Sequence, residues 1–389
     1  MNFIRKIFST QWKYGAKTLY FVILISFSLF AYYHLSIGFR MSGDSFSYSL
    51  WADDLIKLKF NLYNYYNQNT YIRPNFIYTI PVLIIALLKL LFETGWQYSF
   101  MILNLILVLF SLIIFSKILL LLNVRAIAIS LAIPFLTLSV DLLIWPRFIL
   151  SDTIFAFLVL LTVFIIVKSI VKENFYYLSL ILLLTLMFLT RPTSVPYIFA
   201  IISFVLISKL NINYNPKLLL LFIFSLFFVA PFVLAVMHQL MKIYLISYSE
   251  VSNWIKQVEI GMIIHDRPKT WVDAPNTFAE IIHLYFTRMI FFFIPYVESF
   301  SKIHILLNLL QAFFVFISIT IWLFLGENCR SVNKSIFVIL LIAISVATFH
   351  SLTLIDYDWR YRFPLIIPLL IILPISIEII LRKIVDKNF

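Results

Sequence analysis

The sequence predicts an all-α, polytopic membrane bundle, and three observations carry that reading. Hydrophobic residues make up 62% of the 389-residue chain and charged ones 12%, about half the charged share that covers a soluble domain. Apolar runs of about twenty residues recur along the chain, the length at which a helix crosses a bilayer. Lys and Arg collect in short segments between those runs and bring the formal net charge to +12, as basic cytoplasmic loops do. This composition excludes a secreted domain, a cytosolic enzyme and a nucleic-acid-binding protein, and the basic balance needs no nucleic-acid partner. Cys329 is the one cysteine, which excludes an intrachain disulfide and a thiolate metal site. Six glycines against 41 phenylalanines indicate bulky helices rather than a small-residue bundle.

The elements follow in order. The first apolar run, Lys17 to Gly38, comes after Arg5, Lys6 and Lys13. It is too long for the core of a signal peptide and is read as a retained helix, with the N-terminus in the cytoplasm. Residues 39–97 are then the first external loop. The apolar run 75–92 carries Lys89 and is expected in the interface as a juxtamembrane helix. Crossing runs follow at 98–116, 126–141, 153–170, 176–190, 192–208 and 218–237. Residues 238–303 form a second long external segment, whose apolar patch 285–296 is also placed in the interface. The last runs are 304–325, 335–353 and 363–381. That gives about ten crossings, both termini in the cytoplasm, and short inner loops holding Lys117, Arg125, Lys168, Lys172, Lys209, Lys217, Arg330 and Lys334. Residues 1–389 read as a single membrane-embedded domain. A composition rich in Ile, Lys, Asn and Phe suggests a bacterial plasma (inner) membrane.

Charge at the outer helix ends marks the candidate site. Asp44 stands in Gly43-Asp44-Ser45, with Tyr48, Ala52 and Leu55 at helical spacing behind it, as in an interfacial helix. Asp152 stands ahead of the next apolar helix in Trp145 to Thr153. Each acid reads either as a helix N-cap or as a carboxylate facing a cavity. Two such acids on one face suit a general base or a divalent metal. Arg191, between two apolar runs, either snorkels or meets a partner. Arg360 and Arg362 flank Tyr361 before the last run and suit a lipid phosphate as well as an aromatic belt. Pro364 disfavours helical geometry at Phe363, so this stretch is expected to be extended, with both arginines facing one cavity. His265-Asp266 in the second loop has catalytic residue types, although such a His is usually solvated.

In this order, these pieces resemble the C-type integral-membrane glycosyltransferase superfamily, which includes protein O-mannosyltransferases and lipid A aminoarabinose transferases. Gly43-Asp44-Ser45 with Tyr48 and Ala52 is similar to the family's first acidic motif. Arg73-Pro74 and the apolar stretch behind it resemble its juxtamembrane segment. Arg147 to Phe157, with Asp152, resembles its second acidic position, and Arg360-Tyr361-Arg362-Phe363-Pro364 its late arginine-tyrosine-proline stretch. The resemblance runs from about residue 40 to 375, in short and degenerate motifs, with no sign of a folded C-terminal extracytoplasmic domain. It implies a transferase that moves a sugar from a polyprenyl-phosphate donor to an extracytoplasmic glycan, lipid or protein acceptor, with inversion. It also implies Asp44 as base or metal-organising acid with Asp152 as its partner. Arg360, Arg362 and Arg191 would then be phosphate contacts, and Tyr48, Arg73, Tyr361 and His265 would line the cavity.

Three rivals remain at this level. A polysaccharide polymerase would put its key arginines in 238–303 and need no acidic pair. A transporter or lipid flippase would carry charges at mid-membrane and repeated halves. A structural membrane subunit would need none of these residues.

Overall fold

The computed structural model describes residues 11–67, 76–208, 215–244, 255–256, 259, 275–295, 301–326, 329–352 and 359–386. Arg73 and His265, and with them much of 238–303, lie outside the described residues. The described chain is a helical bundle. Its helices are α1 Gln11–Ile37, α2 Gly43–Lys57, α3 Leu62–Tyr66, α4 Thr79–Phe92, α5 Trp96–Leu121, α6 Ala126–Thr137, α7 Val140–Ile144 and α8 Asp152–Lys172. They continue as α9 Tyr177–Phe188, α10 Val195–Ser208, α11 Pro216–Tyr244, α12 Phe278–Phe293, α13 Lys302–Leu325, α14 Arg330–Leu352, α15 Phe363–Leu370 and α16 Ile372–Asp386.

Seven spans among the described residues are long and apolar enough to cross a membrane, and an eighth is formed if α6 and α7, bent by 52°, count as one. Pro134 lies in α6 near that bend, where a proline removes a backbone donor. The runs expected at 176–190 and 192–208 are the short helices α9 and α10, of 12 and 14 residues. At 1.5 Å per residue neither alone spans a hydrocarbon core of about 30 Å. The run at 75–92 is α4, also 14 residues, and 285–296 falls largely within α12. The chain is a multi-pass membrane protein.

Burial separates the spans. The apolar windows of α8 and α14 are 61% and 67% buried, whereas those of α1 and α13 are 17% buried. The former are the middle of the bundle and the latter its lipid-facing rim. The α8 helix packs along α5 and α15, and α14 along α10 and α12. Mid-helix hydroxyls such as Thr162 and Ser111 bond their own backbone, at the Leu158 carbonyl (2.8 Å) and the Leu107 carbonyl (2.8 Å), so these two add no unmet group in lipid.

The helix ends form two polar faces. At one, Gly38 takes φ +81° and closes α1 by donating to the His34 carbonyl (2.9 Å), a left-handed cap that glycine accepts without strain. The chain then runs extended, and Arg40 bridges the loop before α8: its N–H donates to the Arg147 carbonyl (2.9 Å) and its carbonyl accepts from Ile149 (3.2 Å). Residues 40–44 and 147–152 therefore share a face, as the charge pattern predicts. At the other end, Arg125, Glu378, Arg382 and Asn123 meet, and Lys334 lies near Glu173.

Candidate functional site

Four charged side chains from four distant segments meet on the first of these faces. The α2 helix brings Asp44. Its N-cap is Ser42, whose hydroxyl accepts from the Ser45 N–H (3.3 Å) while Ser45 Oγ accepts from the Ser42 N–H (2.9 Å), a reciprocal capping box. The cap reading of Asp44 is thus corrected. Asp44 sits in the first turn, where the helix dipole favours its charge, and its side chain is 51% exposed. Tyr48, Ala52 and Leu55 are buried, as their spacing predicts, and α2 lies on α4. Lys89 of α4 fastens that contact by donating to the Asp53 carboxylate (2.7 Å) and the Ser49 carbonyl (2.9 Å). This accounts for a cation within an apolar run.

Asp152 is the first residue of α8 and is fully buried. The preceding Trp145–Arg147 turn is held by Asn104 of α5, whose amide donates to the carbonyls of Pro146 (3.0 Å) and Phe148 (3.2 Å). The N-cap position belongs to Ser151, so Asp152 is no cap either. Its partner is Arg191, whose backbone is extended (φ −163°, ψ 140°), as the following Pro192 requires. The Arg191 guanidinium is buried and donates to Asp152. Arg191 therefore does not snorkel.

Arg360 joins the two acids. Its Nη1 donates to Asp44 (2.6 Å) and its Nε to Asp152 (3.2 Å). The neighbouring Tyr361 ring lies under Arg191 (4.9 Å) and against His350 (5.1 Å), and His350 stacks on Phe292 (5.1 Å, 13°). Tyr48 and Tyr78 close the side near Asp44, their rings 5.2 Å apart. Burial pushes the Tyr48 phenol well above its ordinary pKa, so it remains a neutral donor at physiological pH.

Arg362 is not part of this cluster. Trp359–Tyr361 is a 3-10 turn and Arg362 is helical (φ −86°, ψ −24°), so the expected extended stretch is corrected. Pro364 is the second residue of α15, a first-turn position where its missing N–H costs no bond. At three residues per turn, side chains two apart diverge by about 120°. Arg362 accordingly donates to the Ile294 carbonyl (2.7 Å) and lines a separate cavity.

The cluster balances two guanidiniums against two carboxylates but leaves bonding capacity unused. Arg191 Nη2, Ser194 Oγ and Tyr197 Oη are buried with no hydrogen-bond partner among the described residues. Such orphans are costly unless a ligand meets them. A divalent cation at the two carboxylates would have to displace the Arg360 guanidinium. Among the described residues no three His, Cys, Asp or Glu side chains gather, and the Arg360 guanidinium bonds both carboxylates that would bind the ion.

Sequence reasoning missed Tyr78, Ser194, Tyr197, His350 and Asp141. His350 and Asp141 carried a usable signal, since an ionisable residue at the edge of an apolar run is by default a functional candidate. The other three resemble any interfacial hydroxyl. No protein-family model, curated protein or solved structure matches the chain, so the geometry alone bears on what the site does.

Proposed function

We propose that the protein is an integral-membrane glycosyltransferase that moves a sugar from a polyprenyl-phosphate carrier to an acceptor on the extracytoplasmic side. The observation that carries this reading is the chain Asp44, Arg360, Asp152 and Arg191. An exposed acid, a shared arginine and a buried arginine with an unmet donor stand together at a helix-end face. That face is opposite the end rich in Lys and Arg, which the positive-inside rule places in the cytoplasm.

The roles follow from exposure and charge. Asp44 is the accessible acid and acts as general base. The acceptor's hydroxyl oxygen attacks the anomeric carbon from one face and gives its proton to the Asp44 carboxylate. On the opposite face the bond from that carbon to the phosphate oxygen breaks, and polyprenyl phosphate leaves with the electron pair. The sugar is inverted and no covalent glycosyl-enzyme forms. Arg191 and Arg360 meet the charge that grows on the leaving phosphate, where preorganised donors act most strongly. Asp152 positions both arginines. When phosphate takes up Arg360, Asp44 loses its present partner and is freed to accept a proton, so the base becomes available as the donor arrives.

The test uses the purified chain in lipid nanodiscs with polyprenyl phosphate and polyprenol as paired probes. Phosphate-dependent binding is expected, and Arg360→Ala should weaken it by about tenfold or more, the usual size of a lost charge-assisted bond. Arg360→Lys keeps the charge but not the fork, and should recover only part of the loss. Equal binding of the phosphate and the alcohol would sink this reading.

A further inference from the structure

A second pair of arginines stands on the same face, one on the extended stretch after α1 and one in the loop before α8. The guanidinium carbons of Arg40 and Arg147 lie 5.4 and 5.8 Å from the centroid of one ring, Phe148, within cation–π reach. The backbone beneath them is fixed. Arg40 donates to the Arg147 carbonyl and accepts from Ile149, and the Asn104 amide holds the carbonyls of Pro146 and Phe148 on either side of Arg147.

This pair has no counter-charge. Among the described residues neither guanidinium makes an ion pair or a hydrogen bond, and Arg147 Nε is buried without an acceptor. Arg191 and Arg360, by contrast, are bonded to carboxylates. His34 lies near Arg147 but bonds the Leu142 carbonyl (3.2 Å) and carries no negative charge. An aromatic ring takes the flat face of a guanidinium and leaves its in-plane N–H groups unused. Two like charges gathered on one ring repel, so the arrangement calls for an anion beside them.

Their position says which anion. Arg40 comes three residues after Ile37, where α1 ends. Leu35 and Ile37 are exposed on a span that is among the least buried in the bundle. Lipid chains therefore cover this helix end, and the arginines stand where the apolar surface stops. At that depth the anion at hand is the phosphate of a lipid headgroup, whose oxygens accept from a guanidinium fork.

We infer that Arg40 and Arg147 bind the phosphate of an anionic phospholipid lying along the end of α1. This binding site does not rest on the transferase reading. The same backbone bridge sets 40–44 beside 147–152, so a lipid held here also braces the segments that carry Asp44 and Asp152.

The experiment adds phosphatidylglycerol, or a diacylglycerol with the same chains, to the full chain in detergent micelles and reads bound lipid by native mass spectrometry. Phosphatidylglycerol should bind about tenfold more tightly than diacylglycerol, and Arg40→Gln and Arg147→Gln should each remove about that factor, the size of one charge-assisted hydrogen bond. Lys302→Gln removes an exposed charge at the start of α13 and should change nothing. Arg40 is exposed, so its variant still decides the matter if thermal unfolding shows that Arg147→Gln does not fold. Undiminished binding in Arg40→Gln, or an equal loss in Lys302→Gln, overturns the site and leaves a general attraction of charge. An equal loss in Arg360→Ala also overturns it, because the lipid would then sit in the ion-pair cluster. Inorganic phosphate that displaces the lipid at the lipid's own concentration would assign the pair to a free anion and overturn the lipid. Arginine-dependent phosphatidylglycerol binding in a protein that fails to bind polyprenyl phosphate supports this site and counts against the transferase reading.

Discussion

Each end of the bundle contains a buried carboxylate held by two arginines, and the two triads differ in what else their arginines reach. At the basic end, Glu378 accepts from the Arg125 backbone (3.1 Å) and side chain (2.9 Å) and from Arg382 (2.8 Å), while Arg382 also donates to the Asn123 carbonyl (3.1 Å). This triad ties the start of α6 to α16. At the other end, Asp152 lies between Arg191 and Arg360, but Arg360 also reaches a second, half-exposed acid, and Arg191 keeps an unmet donor beside orphaned hydroxyls. The same ion chemistry serves as a clasp where its hydrogen bonds are directed to the backbone and as a candidate site where they are not. A buried ion pair is therefore weak evidence of function by itself. A second, accessible acid on the shared arginine is the better sign.

Four measurements would break or sharpen that contrast. The first is all-or-none and concerns which end is which. Cys329 is exposed near the Glu378 end, and Phe46 is exposed beside Asp44. A membrane-impermeant maleimide should label Cys329 only from the cytoplasm. In a Cys329→Ser background it should label Phe46→Cys only from outside. The reverse pattern would invert the map and remove the extracytoplasmic transferase.

The second is catalytic. Asp44→Asn should lower sugar transfer by about 10²–10⁴-fold, the usual contribution of a general base. It should change stability by less than about 1 kcal/mol, because its ion pair is half-exposed. Transfer would be read in membranes lacking the native protein. Wild-type activity in this variant would make Asp44 a surface charge.

The third is a stability effect. Arg191→Ala leaves Asp152 buried without its closest cation, and breaking a buried pair this way costs about 3–5 kcal/mol. Thermal unfolding in detergent should register that loss. The double variant Arg191→Met with Asp152→Leu should recover much of it, while polyprenyl-phosphate binding stays lost. A double variant that binds normally would reduce this triad to a clasp. The smallest effect belongs to Arg382→Ala. Its side chain is 39% exposed, so once solvent screening is allowed for, the loss should be below about 1 kcal/mol, with transfer unchanged.

The bundle is legible in the sequence because apolar run length is a direct statement about a bilayer. Asp44, Asp152 and Arg360 are legible for a related reason: a charge at the end of an apolar run must meet water or a partner, so its position alone singles it out. The pairing is not legible. Nothing in the spacing says that Arg191 meets Asp152 or that Arg360 bridges two acids, because those contacts depend on how α2, α8 and α15 converge. Ser42 took the cap assigned to Asp44 because both residue types cap well and only geometry separates them. Arg362 departs from its expected direction for a similar reason. The proline rule that favoured an extended chain is weaker than helix initiation at α15, and a change in turn type sends the side chain into another cavity.

The order of the four segments has a consequence for biogenesis. Asp152 and Arg191 are 39 residues apart and flank α8 and α9, so their pair can close as soon as that helical hairpin inserts. Asp44, already made, must wait for Arg360, 316 residues later. During synthesis the growing chain therefore carries a neutralised buried pair but no complete site. Only when the last of the four segments arrives does an uncommitted acid acquire its arginine. A chain released before that point keeps the Asp152–Arg191 pair and leaves Asp44 without its arginine.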